Sequence, residues 1–332
     1  MDLFQWIDET LHPKVCDSEE FIYDDMDSQS GRSLPVLYQD FDSGRRAHWQ
    51  DRGSLYDFLS SVGGKNKKLL DFGPGDGWPS LIVAPFAAEI FGIEGSRKRV
   101  SVCTENTERL GIANVAYLFV SPGMPLPFED DTFDGIMASS SVEQTPDPHA
   151  TLTELFRVLR PGGRLRINYE SLSRYHGDRE KDLYLSAMGA DRCTMILYDR
   201  DIERERVRQF GLTYAMSRGS LIEALRPSER SLQFRSLNVG RLEAIASACV
   251  EARVCTTIHP SGETLATWLL DIGFSQVNPT HSGAKAAGRL FESVQNRPVD
   301  LHGVDELVRP LAEIVSQLSA PLDTDPMLTA VK

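Results

Sequence analysis

The chain has 332 residues, of which 41% are hydrophobic, so it can bury a full core, and its length suits one large domain with additions or two smaller domains. Its formal charge of -13 disfavours nucleic acid as a partner, because affinity for phosphate backbones comes from Lys and Arg side chains that displace counterions. The cysteines are scattered without a C-x-x-C pair, and neither a leader-like N-terminus nor a membrane-length apolar run is present. We therefore expect a cytoplasmic protein that binds no membrane.

Residues 1–66 are predicted to form an N-terminal extension ahead of the first core strand. Nine acidic side chains stand against one lysine in residues 1–31, which is typical of a solvated, partly helical segment. Apolar and aromatic residues follow at 34–38 and 45–62, so a lid over the functional site is the alternative. Glycines at 63 and 64 then end the predicted helix.

A glycine-rich stretch follows the first predicted core strand. The apolar residues 69–72 predict a strand buried on both faces, and Pro79 suits the first turn of a helix. Gly73, Gly75 and Gly77 lie between them, where they permit positive φ angles and allow a ligand to approach the backbone. The stretch therefore predicts a strand, a ligand-binding turn and a helix.

The spacing of these glycines excludes two common nucleotide sites. The dinucleotide fingerprint G-x-G-x-x-G fails because Trp78 stands where the third glycine belongs. The triphosphate loop fails because no lysine follows any glycine of the turn.

Further strands are predicted downstream, and polar residues follow their ends. The strand at 90–94 ends in Glu94, whose carboxylate can accept both hydroxyl groups of a ribose. Strands are also predicted at 115–120 and 133–138, and a fifth one ends near residue 168 after a Pro-Gly-Gly turn. Ligands of open α/β sheets bind at the carboxyl ends of strands, so residues 139–144 should face the reacting centre.

Several of these motifs together resemble the class I S-adenosylmethionine-dependent methyltransferases, type 11 branch. They are the acidic residue and glycines of the 71–77 turn, the Leu-Pro-Phe at 126–128 with a following Phe-Asp, and the Pro-Gly-Gly at 161–163. The resemblance implies an α/β fold with a Rossmann-like, seven-stranded, mostly parallel sheet between helices, its last strand antiparallel. It also implies S-adenosyl-L-methionine as cofactor and S-adenosyl-L-homocysteine as product.

By this resemblance, the cofactor is expected to contact one set of residues near the strand ends. The set comprises Asp71, Gly73, Gly75, Asp76, Gly77, Glu94, Gly95, Ser121, Met124 and Ser139. One position departs from the pattern, because relatives usually carry an Asp for the adenine amino group where this chain has Ser121 and Pro122. A serine hydroxyl or a backbone carbonyl beside Met124 could accept that hydrogen bond instead.

Catalytic candidates follow the fourth and fifth strands. Many relatives have a His where Gln144 stands, so Glu143 becomes the nearest candidate proton acceptor, and a role in capping the loop is the alternative. Tyr169 and Glu170 follow the fifth strand and complete the catalytic candidates. Candidate substrate contacts are Tyr38, His48, Trp49, Gln144, Tyr175 and His176. The seven histidines are far apart in the sequence, so no metal site is predicted.

The family pattern is interrupted after the fifth strand. The resemblance covers about residues 67–170, predicted as the SAM-binding core, and 256–295, predicted as its C-terminal part with closing strands at 274–277 and 289–293. Residues 171–255 are predicted to be an inserted α+β substrate cap, with a hairpin at 194–216 and a helix at 237–250. Residues 296–332 add an amphipathic helix and a tail.

The insertion also differs from the rest of the chain in charge. Residues 171–253 hold fourteen basic and twelve acidic side chains, whereas the whole chain is strongly acidic. This balance favours an anionic acceptor, and a solvated face of ion pairs is the alternative.

We therefore predict a methyltransferase acting on an oxygen, nitrogen or carbon atom of a small molecule. A catalytically silent SAM-binding partner or sensor, or a methyltransferase acting on protein side chains, are the alternatives. Both a monomer and a homodimer are compatible with the sequence.

Overall fold

A computed structural model of the chain describes residues 2–23, 40–177, 179–225, 232–294, 299–324 and 326–332. The chain divides into two compact units. The smaller unit consists of Met1–Asp25 and Leu172–His259, and the larger unit consists of Met26–Ser171 and Pro260–Lys332. Each unit has its own sheet and its own hydrophobic core.

The regular elements of the described residues are numbered along the chain. The helices are α1 (Leu3–Leu11), α2 (Arg46–Ser61), α3 (Ser80–Val83), α4 (Arg97–Arg109), α5 (Pro148–Val158), α6 (Arg218–Leu225), α7 (Val239–Ile245), α8 (Gly262–Ile272), α9 (Gly283–Ser293) and α10 (Leu301–Val315). The strands are β1 (Lys14–Cys16), β2 (Lys68–Phe72), β3 (Glu89–Glu94), β4 (Val115–Phe119), β5 (Phe133–Ser139), β6 (Leu159–Asn168), β7 (Lys181–Ala187), β8 (Cys193–Asp201), β9 (Arg206–Tyr214), β10 (Cys249–Ile258), β11 (Gln276–Thr280) and β12 (Met327–Val331).

The larger unit is built on a seven-stranded sheet in the order β11-β12-β6-β5-β2-β3-β4. Strands β2 to β6 are parallel to one another, and β12 runs antiparallel to both β6 and β11. This arrangement confirms the predicted Rossmann-like fold with an antiparallel last strand. The strand order reverses between β2 and β5, so the carboxyl ends of these two strands form the crevice in which such sheets bind ligands.

Alternate residues of each central strand bury their side chains in cores on opposite faces of the sheet. Leu70 and Ile136 face the core that α5 and α8 cover, whereas Leu69 and Met137 face the core that α2, α9 and α10 cover. Both faces are therefore buried, which explains the nearly continuous apolar character of these strands.

A buried ion pair joins α2 to the second face of the sheet. Asp57 accepts hydrogen bonds from Arg166 of β6 through both oxygens, at 2.9 and 3.0 Å, and a further one from the backbone N–H of Gly283 at 2.6 Å. Arg166 also donates to Thr329 of β12 at 2.8 Å, and both charged side chains are 0% exposed. Burial raises the pKa of Asp57 and lowers that of Arg166, and the attraction between them opposes both shifts.

The smaller unit has a five-stranded sheet in the order β1-β10-β9-β8-β7. Adjacent strands among β7 to β10 are antiparallel to each other, and the short β1 lies parallel to β10. Helices α1, α6 and α7 contribute apolar side chains to one core, which includes Phe4, Leu221 and Leu242. The predicted hairpin is present as β8 and β9, whereas residues 249–250 of the predicted helix belong to β10.

Two predictions at the C-terminal end are wrong. Residues 289–293 lie in α9 and not in a strand, because their apolar side chains form one stripe of an amphipathic helix. The strand that closes the sheet is β12, in the segment expected to be a tail, where Leu328 pairs with Ile167 of β6. Within the described parts of the chain, no helix combines the length and apolar character needed to cross a membrane.

Removing one partner of the buried ion pair should strongly destabilise the larger unit. We expect Asp57→Ala to lower the free energy of unfolding by about 3–5 kcal/mol, because it leaves a buried guanidinium without its counter-charge. The double variant Asp57→Ala/Arg166→Met should regain part of this loss. Urea denaturation at pH 7 measures both values.

The exposed pair between Arg46 and Glu292 provides the matched control. We expect Glu292→Ala to cost only about 0–1 kcal/mol, because exposed ion pairs contribute little. Equal costs for Asp57→Ala and Glu292→Ala would contradict the structural role assigned to the buried pair.

Candidate cofactor and active site

The glycine turn, residues 73–79, connects β2 to α3 and packs against the end of β5. Gly73 has a φ of +72°, and a Cβ atom at this position would overlap the Cβ of Ser141. The hydroxyl of Ser141 donates to the backbone oxygen of Phe72 at 2.6 Å and thereby ties the two strand ends together. Only glycine satisfies both the backbone conformation and this close approach.

Glu94 at the end of β3 lies beside this turn. Its carboxylate accepts the backbone N–H of Gly75 at 3.0 Å through one oxygen and that of Ser96 at 3.0 Å through the other. The side chain is buried, and desolvation raises its pKa, while Arg99 and backbone N–H groups, including that of Gly95, oppose the shift. The structure thus brings the glycine turn next to Glu94, the residue predicted to bind the ribose.

Asp71 lies below the turn and has an exceptional environment. Burial, with a smaller contribution from Glu94, raises its pKa to about 7. One carboxylate oxygen accepts both the backbone N–H and the hydroxyl of Ser80, and the other has no hydrogen-bond partner within the described residues. A buried carboxylate in this state is stabilised by any donor or cation that reaches its second oxygen.

Helix α4 fixes the outer side of the turn. The thiol of Cys103 donates to the backbone oxygen of Gly75 at 3.2 Å, and the Asn106 amide donates to that of Asp76 at 3.2 Å. The Arg99 guanidinium lies 3.6 Å from the Asp76 carboxylate. This polar face of α4 is therefore not only solvated, because it binds the backbone of the turn. The spacing of these three residues at positions i, i+4 and i+7 of one helix face could have indicated a shared contact.

The predicted adenine contacts lie at the end of the neighbouring strand. Ser121 and Met124 follow β4, where the Met124 N–H donates to the Ser121 backbone oxygen at 3.1 Å and the Met124 side chain is 60% exposed. At the end of β5, the Ser139 hydroxyl accepts a hydrogen bond from Asn168 of β6 at 3.3 Å.

The catalytic candidates Glu143 and Glu170 lie next to each other. Glu143 is buried, and its carboxylate accepts the backbone N–H of Glu170 at 2.9 Å, whereas the Glu170 side chain is partly exposed. Tyr169 is buried in the core, and its hydroxyl lies against Gly262 at the start of α8. Gln144 donates to the backbone oxygen of Ser140 at 2.7 Å.

The candidate substrate contacts are distributed over both units. His48 and Trp49 are buried on α2, where His48 Nδ1 accepts the Asp42 N–H at 2.9 Å and the Trp49 indole donates to a backbone oxygen at 2.9 Å. Tyr175 and His176 belong to the smaller unit. The Tyr175 ring lies 3.9 Å from the Arg200 guanidinium, and Tyr38 lies outside the described residues.

The residues at the turn suit a nucleoside that carries a ribose and a cationic tail. Gly73, Gly75 and Gly77 all have positive φ and keep the backbone accessible, and Glu94 can accept two hydroxyl donors. No group of three or more His, Cys, Asp or Glu side chains that could hold a metal occurs in the described part of the chain.

A glycine turn followed by an acidic residue at the next strand end is a nucleoside-binding arrangement that several Rossmann-like classes share. The match to a family model identifies it here as a class I S-adenosylmethionine-dependent methyltransferase domain, whose cofactor is S-adenosyl-L-methionine. Residues 70–167 match the family model described as a methyltransferase domain. The chain carries a domain of this family.

Three relatives illustrate the similarity. Methyltransferase GfsG of Streptomyces halstedii is 36% identical over 34% of this chain and 40% of its own length. The demethylmenaquinone methyltransferase of Lactiplantibacillus plantarum is 30% identical over 37% of this chain and 51% of its own length. The O-methyltransferase rstn1 of Aspergillus nomiae is 34% identical over 36% of this chain and 56% of its own length. The chain thus spans about half the length of these relatives.

The close approach at Gly73 can be tested against a glycine with the same backbone conformation. Gly111 has a φ of +65°, and a Cβ atom added there would have no other atom within 4 Å, so Gly111→Ala should cost only the conformational penalty of about 1–2 kcal/mol. Gly73→Ala should cost about 1–3 kcal/mol more, because the new methyl group overlaps Ser141. Urea denaturation of both variants measures the difference, and equal costs would show that the packing at Gly73 is unimportant.

Proposed function

We propose that the larger unit transfers the sulfonium methyl group of S-adenosyl-L-methionine to an oxygen, nitrogen or carbon atom of a small molecule. The observation that supports this proposal is the 3.0 Å hydrogen bond from the Gly75 backbone N–H to the buried Glu94 carboxylate, because it brings the glycine turn next to an acidic residue at the end of the neighbouring strand. The names of the relatives support the reaction class, and one of them, an O-methyltransferase, names an oxygen acceptor.

The cofactor supplies an electrophilic methyl group, so the chain's own residues have to bind the cofactor, orient the acceptor and exclude water. The glycine turn would hold the amino-acid part against its backbone, and Glu94 would accept the ribose hydroxyls. Ser121, or the backbone near Met124, would accept the adenine amino group. Ser139 would line the reacting end of the site.

The acceptor's proton, where it has one, needs a receiving group. Glu143 is committed to the backbone N–H of Glu170, which favours Glu143 as a positioning residue and Glu170 as the proton acceptor. Tyr169 would act through packing, because its ring is buried in the core.

We further propose that the inserted region, residues 171–255, selects the acceptor and that its comparatively basic composition favours an anionic one. Tyr175 and His176 are its candidate contacts, and Gln144, His48 and Trp49 are those of the larger unit. A cytoplasmic location remains part of this proposal.

A catalytically silent cofactor-binding domain is the second candidate function. Gln144 stands where many relatives carry a His. Glu143 is the charged residue of the 139–144 segment, and it already accepts a backbone N–H. Both observations favour a domain that does not transfer a proton at this place. Incubation with methyl-labelled S-adenosylmethionine and a metabolite extract separates these functions. Label in small molecules supports the proposal, label in macromolecules indicates a protein substrate, and cofactor binding without labelled product indicates the silent domain.

Removing the Glu94 carboxylate should weaken cofactor binding. We expect Glu94→Ala to lose about 1–3 kcal/mol of binding free energy for S-adenosylhomocysteine, because two hydroxyl donors lose their acceptor. Isothermal titration calorimetry measures this loss. Lys98→Met, on the exposed side of α4, is the control for a change in charge near the site. Glu94→Ala with wild-type affinity would refute the assigned ribose site.

Replacing each of the two neighbouring carboxylates by an amide tests their separate roles. We expect Glu170→Gln to lower kcat without changing the Kd of S-adenosylhomocysteine, because only proton transfer is lost. Glu143→Gln should have a smaller effect on kcat, since an amide oxygen can still accept the Glu170 N–H. The labelled-methyl assay with the identified acceptor measures kcat. Unchanged turnover in both variants would exclude both residues as proton acceptors.

A further inference from the structure

Asp51 is an acidic residue on α2 with no assigned role. It is partly buried and makes no hydrogen bond or ion pair within the described residues. The buried ion pair that anchors this helix to the sheet is made by a different acid, Asp57, six residues further along α2. A partly buried carboxylate without an ion pair destabilises the folded protein unless a ligand pairs with it, so its presence indicates a binding role.

The direction in which Asp51 projects follows from the contacts of its helix face. Asp51, Phe58 and Val62 lie on one face, because they are separated by seven and eleven residues in a helix of 3.6 residues per turn. The Phe58 ring packs on Trp78 of the glycine turn, with ring centroids 5.8 Å apart, and Val62 packs with Leu69 of β2. Asp51 therefore projects from the side of α2 that faces β2 and the glycine turn.

The height of Asp51 along the sheet follows from the orientation of α2. Val62, at the C-terminal end of the helix, lies against Gly135 near the start of β5, whereas Asp57 pairs with Arg166 near the end of β6. The helix thus runs antiparallel to the strands, and Asp51 lies six residues, or about 9 Å, beyond Asp57 toward their carboxyl ends. This places the carboxylate at the edge of the sheet where the glycine turn lies.

The opposite faces of α2 are occupied, which excludes another orientation for this residue. Gly53 packs directly on the backbone of α9 at Gly283, and Arg52 forms an ion pair with Asp305 of α10 at 2.7 Å. These contacts fix the rotation of the helix about its axis. Asp51 cannot turn toward α9 or α10 without breaking them.

We propose that Asp51 is a cofactor-binding residue that recognises the cationic methionine part of S-adenosylmethionine. This inference rests on the proposed function, because it takes the glycine turn as the cofactor site. Of the two cationic groups of the ligand, either the ammonium or the sulfonium would form the direct ion pair that Asp51 does not make with the described protein residues. Its carboxylate would then be stabilised only when the cofactor is bound.

The ionisation of Asp51 is consistent with such a role. Burial raises its pKa to about 6, and the adjacent Arg52 lowers it only partly. Protonation below this pKa removes the negative charge, so affinity for a cation is present above pH 6 and is lost as the pH falls. Other charged or acidic side chains also lie at this edge of the sheet: Asp71, Asp76, Glu94, Arg99 and Glu143. A variant of Asp51 is therefore needed to isolate its contribution.

The test compares Asp51→Asn with the wild type in binding to three ligands by calorimetry at pH 7. S-adenosylmethionine carries both cationic groups, S-adenosylhomocysteine carries the ammonium alone, and methylthioadenosine carries neither. We expect Asp51→Asn to raise the Kd of S-adenosylmethionine about 10- to 150-fold and to leave that of methylthioadenosine unchanged. S-adenosylhomocysteine then identifies the cation: its Kd rises equally if the ammonium is bound and stays constant if the sulfonium is bound.

Between pH 7 and pH 5.5, ionisation of Asp51 alone should weaken wild-type binding of S-adenosylmethionine about fourfold, and this part of the pH dependence should be absent from Asp51→Asn. Asp51→Glu restores the charge and should recover part of the affinity. Glu292→Gln, which removes an exposed charge from α9, is the matched control and should bind all three ligands as the wild type does.

Equal binding of S-adenosylmethionine by Asp51→Asn and the wild type would overturn this inference alone. Equal losses for S-adenosylmethionine and methylthioadenosine would also overturn it, because the effect would then not depend on the charge of the ligand. A wild-type protein that binds none of the three ligands would instead overturn the proposed function and, with it, this inference.

Discussion

The close approach of the glycine turn to the end of β5 is the constraint on which the site depends. Gly73 has no side chain, so the backbone can pass next to Ser141, and the Ser141 hydroxyl then joins the two strand ends. This contact directs the following N–H groups toward β3, where Glu94 accepts the one from Gly75. A side chain at position 73 would therefore displace both the turn and the carboxylate that it meets.

Acidic groups concentrate at this edge of the sheet, and burial opposes their ionisation. Asp71 and Glu94 both have raised pKa values, which means that each carboxylate is less favourable in the folded protein than in water. The first turn of α4 carries Arg97, Lys98 and Arg99, although a helix N-terminus favours acidic residues. The position of Arg99 beside Asp76, and its effect on Glu94, give a reason for this arrangement, since the cation offsets the crowding of negative charge.

The parts of the fold that local patterns encode can be predicted from the sequence. The strand before the turn, the turn itself and Glu94 are predicted because apolar runs, glycines and strand-end acids are local signals. The closing strand β12 is missed because its pairing with β6, as in Leu328 with Ile167, joins residues far apart in the chain. Contacts of α4 with the turn are missed for the same reason, since a polar residue such as Asn106 looks solvated until the backbone it binds is known.

Helix α2 shows how a tertiary contact can change the interpretation of a segment. Its aromatic residues suggested a lid, but Trp49 is buried in the core, and Gly53 lets the helix pack directly on the backbone of α9. The Asp57–Arg166 pair further ties the helix to β6, and the same network reaches β12 through Thr329. Because this helix is held on three sides, its remaining face presents fixed side chains to the strand ends. Helix α2 therefore forms a fixed wall of the larger unit.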